Sequence, residues 1–410
     1  MSAPEKNRRD PRLPSARFAL FITLAIQLFT ALAATSTAVL APEIGRDLGI
    51  APRLVGVFVG LVYVGSMSAS LVCGGFIERY GAIRVSQICV LLAAGGLLIV
   101  SLGTTLPAIV VLTLAIAPVI IGFGYGPITP ASSQILIRTT APSRMALTFS
   151  IKQTGVPGGA ALAGALLPFL ALRVGWHAAF ALIAAVGIVI ALIAQTARAS
   201  LDSERTPGRT LSFTGIFAPL AHVMRTPELA ELAIMGCIYA SLQVCLTSFL
   251  VVYLTETLRF SLVAAGFALT VANFGGIVGR IVWGAIADKR VAPRTLLGAI
   301  GLAAGACACV AATFGVGWPM AAIVAVCAIY GATAIGWNGV QLAQVARFAP
   351  VGQVGAITGA AGFVTFGGVM VAPPVFALIS ALAGGYRTGF VFFGSLAIGC
   401  GLWLLRGPAK

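Results

Sequence analysis

Apolar runs of 18 or more residues recur from Phe18 to Leu405, separated by short polar breaks. A run of that length suits the hydrocarbon core of a bilayer, which about 20 helical residues cross. The runs predict twelve spans, at 17–40, 54–77, 84–103, 107–136, 144–171, 178–197, 229–254, 261–287, 294–314, 319–344, 353–382 and 389–406. With 59% hydrophobic and 9% charged residues, the chain could not cover the surface of a soluble domain of its size. Gly and Pro are tolerated in membrane helices because neighbours satisfy the loosened backbone. The runs at 107–136 and 353–382 are long enough to tilt or bend.

A constant offset of 210 residues links separate parts of the chain. Gly266 matches Gly56, Gly275 matches Gly65, Gly284 matches Gly74, Asp288 matches Glu78, Lys289 matches Arg79 and Arg294 matches Arg84. The offset also pairs Gln344 with Gln134, Gly385-Tyr386 with Gly175-Trp176, and Phe390 with Phe180. One spacing across four regions predicts a duplicated chain: an all-α membrane protein of two pseudo-symmetric six-helix halves. The halves are 17–197 and 229–406, joined by a hydrophilic segment at 198–228 with no strong helical period. Residues 1–16 and 407–410 form terminal tails. Arg280 breaks the repeat, because its counterpart is Ser70.

The net charge of +15 would suggest nucleic acid in a soluble protein. Its distribution argues otherwise. With both termini on one side, that side holds 19 Lys and Arg against five on the other, and Lys152 and Arg280 lie inside spans. This bias predicts cytoplasmic termini in a multi-pass inner-membrane protein, with no nucleic-acid partner. Ala31-Leu32-Ala33 imitates a signal cleavage site, but cleavage there would break the duplication. Eight cysteines lie within apolar spans and none has metal-ligand spacing, so they read as small buried hydrophobes. No metal or cofactor is expected.

The first turn, GGFIERYGAIR at 74–84, and its copy at 284–294, together with the span count, resemble the major facilitator superfamily over residues 17–406. Its turn reads loosely Gly-x-Leu-x-Asp-Arg-x-Gly. Here Gly74, Glu78, Arg79 and Gly81 match, with Arg84 trailing. Gly284, Asp288, Lys289 and Arg294 form the second copy, in which Val291 replaces the second Gly. The resemblance implies alternating access, a substrate held near mid-membrane between the halves, and a latch at the turns on the cytoplasmic side. A carboxylate there can hold guanidinium groups or a facing helix N-terminus. Two features depart from the family's drug–proton antiporters: Pro118 stands where an Arg is expected in span four, and Gly155–Gly159 match their span-five pattern only in part.

A cation in the bilayer core costs roughly 2.5–3.5 kcal/mol on insertion scales. Arg280 lies eight residues before Asp288 and Lys152 eight after Arg144, so each sits roughly 12 Å in from the same side. In the fold implied by the resemblance, spans five and eight face each other. Two like charges at one level then call for an anion, and no carboxylate lies at mid-depth to supply it. The predicted substrate is a small organic anion, a carboxylate first, held by Arg280 and Lys152. Gln153, Gln27, Gln243, Asn273, Trp337, Asn338 and Gln341 are candidates for further contacts. A basic residue in span eight resembles the oxalate–formate exchanger and monocarboxylate branches in that one placement. A co-transported proton and an exchanged anion both stay open as coupling partners, and the expected unit is a monomer.

Other classes are weaker. A membrane enzyme would need paired carboxylates, a Ser/Cys–His pair or metal ligands within spans. A channel would need a selectivity ring. The main competitor is an exporter of neutral or drug-like compounds in which Arg280 and Lys152 are structural.

Overall fold

The computed structural model describes residues 16–49, 55–103, 115–208, 217–260, 262–383 and 385–406, and no strand occurs among them. Eight spans are single helices: Ala16–Val39, Val55–Tyr80, Ala82–Ser101, Pro227–Val252, Leu262–Lys289, Pro293–Ala312, Val354–Leu382 and Tyr386–Leu405. Span four is broken into Ala117–Tyr125 and Ile128–Thr139, and span ten into Met320–Ala334 and Asn338–Phe348. Span five starts as Met145–Gln153 and continues into Gly155–Leu201, which also contains span six. The two meet at Gly175, whose φ of 79° is open to glycine and turns the chain. Ten of the described helices are long and apolar enough to cross a membrane. The broken fourth span and the fifth, run together with the sixth, complete the twelve-helix fold.

The breaks follow the repeat. Gly126 and Gly336 are 210 residues apart, and both fourth helices open there. In span four the cause is covalent: Pro127 has no N–H to give to Phe123 O, and the Cys89 thiol donates to that carbonyl instead at 3.7 Å. The second break has no proline and was not anticipated from the sequence. Of the runs expected to bend, 107–136 breaks, whereas 353–382 forms the continuous helix Val354–Leu382 with Pro373 and Pro374 inside it.

One core lies wholly within residues 19–201 and two within 223–404. A fourth crosses the halves, packing Leu136, Met145 and Phe149 against Leu342, Ala343 and Val354. Glycines allow the closest approaches. A Cβ on Gly74 would sit 2.4 Å from Ala356 Cβ, and one on Gly284 would sit 2.5 Å from Ser150 Oγ. These contacts lie at the end that carries the repeated turns.

The segment 198–228, whose sequence shows no strong helical period, carries two short helical pieces. Span six runs on to Leu201, and Ala218–Arg225 forms a short helix. Both additions are held by apolar burial, Leu201 in the first core and Val223 in the second half. Residues 209–216 and the tails at 1–15 and 407–410 lie outside the described residues.

Candidate substrate cavity and gate

Between the halves lies a cavity of about 170 Å³. Spans two, four and five line it from the first half, and seven, eight, ten and eleven from the second. Its described wall carries amides (Gln153, Gln243, Asn338, Gln341), hydroxyls (Ser70, Thr129, Thr247, Thr358, Thr365) and rings (Tyr63, Tyr125, Phe366). Arg280 is the one charged residue among the described lining residues.

Arg280 is 1% exposed. Nε donates to Ile335 O at 3.0 Å, Nη2 to Asn338 Oδ1 at 3.0 Å and Nη1 to Gln153 O. Each carbonyl has a reason to need a donor. Ile335 sits in the break of span ten. Gln153 O would take the N–H four residues ahead, and that residue is Pro157. A cation of one half therefore satisfies a backbone group that a proline of the other leaves open.

Lys152 is equally buried but does not line the cavity. It stands behind the wall within the first half, donating to Gln27 Oε1 at 2.6 Å, Gln153 Oε1 at 3.0 Å and Thr129 Oγ1 at 3.4 Å. Gln153 thus touches both cations, Lys152 through its side chain and Arg280 through its carbonyl. Gln27 is held by Lys152 and stays out of the wall. Asn273 donates to Leu269 O on its own helix, and buried Trp337 donates to Ala334 O and packs edge-on against Tyr239. Neither lines the cavity. Asn338, Gln243 and Gln341 do, Gln341 being oriented by its bond to Leu232 O at 2.9 Å.

The turn residues divide by half. Asp288 accepts from the N–H groups of Ala146 and Leu147 at 2.9 Å each, capping the N-terminus of Met145–Gln153 across the interface. Its neighbour Lys289 is exposed, and Arg294 forms a fork with Glu231 at 2.6 and 2.8 Å inside the second half. In the first copy Gly81 has φ 95°, and the N–H groups of Ile83 and Arg84 donate to Asp202 at 2.8 and 3.0 Å. Thr206 N–H donates to Glu78 O at 2.8 Å. Arg79 lies over the Tyr80 ring at 5.3 Å. Arg347, donating to Pro142 O, adds a further bond between the halves at this end.

Sequence reasoning missed the aromatic contact between the halves, where Phe366 meets Tyr63 at 5.9 Å and Tyr125 at 6.3 Å. It also missed the hydroxyls. Ser70, the counterpart of Arg280 in the repeat, lines the same cavity. The 210-residue offset between them was the available signal.

Two helical halves around a polar cavity with one charge in its wall, closed together at one end, define a membrane carrier. The Major Facilitator Superfamily profile matches residues 23–373, and the chain belongs to that superfamily of transporters. It is 22% identical over 162 residues to a hexuronate transporter of Bacillus subtilis (strain 168). That match spans 39% of this chain and only 36% of the relative's length. Among solved structures, the E. coli fucose:proton symporter FucP superposes with a TM-score of 0.74 at 17% identity, over 97% of this chain and all of that one. The human organic anion transporter TETRAN gives 0.76 at 15% identity, over 96% of this chain and all of that one. A bacterial homologue of the iron transporter ferroportin gives 0.74 at 14% identity, over 94% and 97%. At these identities the structures establish the fold.

Proposed function

We propose that the protein carries a small organic anion, a carboxylate in the first instance, across the cytoplasmic membrane by alternating access between its halves. Arg280 carries this reading: a permanent charge buried in the wall of a cavity that is otherwise lined by uncharged described residues. A guanidinium has five N–H donors. Three are engaged, which leaves one on each terminal nitrogen, the pair that takes a carboxylate. Gln153, Gln243, Asn338 and Gln341 line the same cavity with hydrogen-bonding groups, and Lys152 adds a second positive charge behind Gln153.

The cavity is smaller than the ≈300 Å³ at which drug-sized pockets begin. Gln243 Oε1 is buried without a partner and accepts only, so it favours an anion that also carries hydroxyl groups. The partial match to a hexuronate transporter is in the same chemical class. With the excess of Lys and Arg in the cytoplasm, both termini and the closed gate face inward, and the chain acts as a monomer.

The neutral-solute exporter retains one observation: two of the three Arg280 bonds go to backbone carbonyls that helix breaks leave without donors. Uptake of labelled glucuronate, lactate and oxalate into proteoliposomes separates the readings. Saturable uptake is expected to collapse in Arg280→Ala and also in Arg280→Lys, which keeps a buried donor for the carbonyls that Arg280 satisfies but cannot form the bidentate fork. Uptake of these acids undiminished in Arg280→Ala would leave Arg280 structural.

A further inference from the structure

Lys152 is a buried ionisable group that supports the anion site from behind the cavity wall without lining it. Of the two cations, Arg280 stays charged at any physiological pH, whereas a buried lysine can release its proton. The surroundings of Lys152 suit both of its forms. An ammonium has three donors, and three oxygens receive them: Gln27 Oε1, Gln153 Oε1 and Thr129 Oγ1. A neutral amine has two donors and a lone pair. The two amide oxygens can take the donors, and the Thr129 hydroxyl, which donates to Gln27 Oε1 at 3.4 Å beside the ammonium, can turn that hydrogen to the lone pair instead. Neither state leaves a buried polar atom unpaired. Two amides and a hydroxyl thus form a holder that works with or without the proton, which three carbonyls would not.

The neighbourhood sets the sign of the coupling. The charged group linked to Lys152 is Arg280, on span eight, through their shared partner Gln153. From spans one and four it meets the neutral Gln27 and Thr129, and from its own helix Gln153. An anion bound at Arg280 attracts a positive charge behind Gln153, so anion binding and protonation each favour the other, by the reciprocity of linked equilibria. Thr129 and Gln153 line the cavity, which places the proton one side chain from its water.

We infer that Lys152 carries the coupling proton: it takes a proton from water in the cavity when the anion binds and returns it as the anion leaves. This rests on the organic-anion reading above and adds the coupling ion to it.

The test uses the full chain in proteoliposomes with labelled glucuronate, lactate and oxalate, an internal pH indicator and the membrane potential clamped at zero. Wild type should concentrate its anion on an inward proton gradient, with one proton entering per anion. Lys152→Gln and Lys152→Arg should exchange labelled for unlabelled anion, more slowly than wild type, but lose accumulation on the gradient. Accumulation by either variant would overturn the inference. So would a wild type that exchanges anions without moving protons, an outcome that leaves the anion reading intact. A wild type that carries no acid at all overturns both. Thr129→Val serves as a second variant, because it removes the hydroxyl with little change in volume. It should move the pH midpoint of anion binding downward, because the charge-assisted bond lost by the ammonium is stronger than the neutral one lost by the amine. An unmoved midpoint also counts against the inference.

Discussion

The two copies of the turn, 210 residues apart, now do different work. In the first, a carboxylate from the same half, Asp202, caps the start of span three, and Gly81 takes the positive φ that this path requires. In the second, Pro293 begins span nine without needing an N–H there, Val291 replaces the glycine, and the turn's own carboxylate is released to cross the interface. Asp288 then caps span five of the other half. Duplication preserved the backbone plan and let the charges diverge. The cap at one turn stays within its own half, and the cap made by the other holds the two halves together.

Side-chain volume should break this comparison most forcefully. A Cβ on Gly74 meets both Cβ and Cα of Ala356, whereas one on Gly284 meets the Ser150 side chain first and Ala146 O only at 2.9 Å. Gly74→Ala should strongly impair transport by hindering closure at this end, and Gly284→Ala should be milder because the nearest atom it meets, Ser150 Oγ, can rotate away. Transport rates combined with cysteine accessibility of the cavity measure both. Equal effects would mean that the two approaches are equivalent.

Next come the repeat-related positions in the cavity. Arg280→Ala should weaken carboxylate binding by about 1.5–3 kcal/mol, roughly ten- to a hundredfold, and Arg280→Lys should recover little. Ser70→Ala should cost about 1 kcal/mol or less, as expected for a neutral hydroxyl. Because Gln153 joins the two cations, losses from Arg280→Ala and Lys152→Ala should fall short of additivity. Binding isotherms of the two single variants and the double variant decide this, and strictly additive losses would separate the sites.

Smaller effects are expected at the caps. Asp288→Asn weakens a cap worth about 0.5–2 kcal/mol that exists only while this end is closed. It should slow turnover several-fold with little change in affinity, and Glu78→Gln should slow it less. Identical turnover in wild type and both variants would remove the latch.

The smallest effect is that of pH at Asp202. Burial pushes its carboxyl above the ordinary 3.8, against the pull of the Ile83 and Arg84 N–H groups and of Arg198 and Arg205. A raised carboxyl stabilises the fold fully below the unfolded value and loses that contribution as pH rises through the folded one. Thermal stability in detergent should therefore fall slightly from about pH 4 upward, and Asp202→Asn should flatten that slope. A variant with the wild-type slope would assign the pH dependence to another group.

Much of this architecture was legible in the residues. Apolar length predicts the spans, because lipid offers backbone groups no partners. The 210-residue offset predicts two halves. Pro127 marks the break in span four. Other features required the fold. Span ten breaks at Ile335–Trp337 with no proline, where Arg280 supplies a donor from another helix. Lys152 and Arg280 share a depth along their helices, yet one faces the cavity and the other stands behind its wall. Rotation about a helix axis inside an apolar bundle leaves little trace in composition, since all faces are apolar.

By itself the sequence determined what is local or periodic: membrane spans, duplication, charge asymmetry and the proline that denies Gln153 O its donor. Tertiary structure decided which carboxylate caps which helix, which cation meets the cavity and which oxygens receive Lys152. The reason is physical. Burial and periodicity are carried by neighbours in the chain, whereas a hydrogen bond between residues 127 positions apart, as from Arg280 to Gln153 O, exists only once helices have packed.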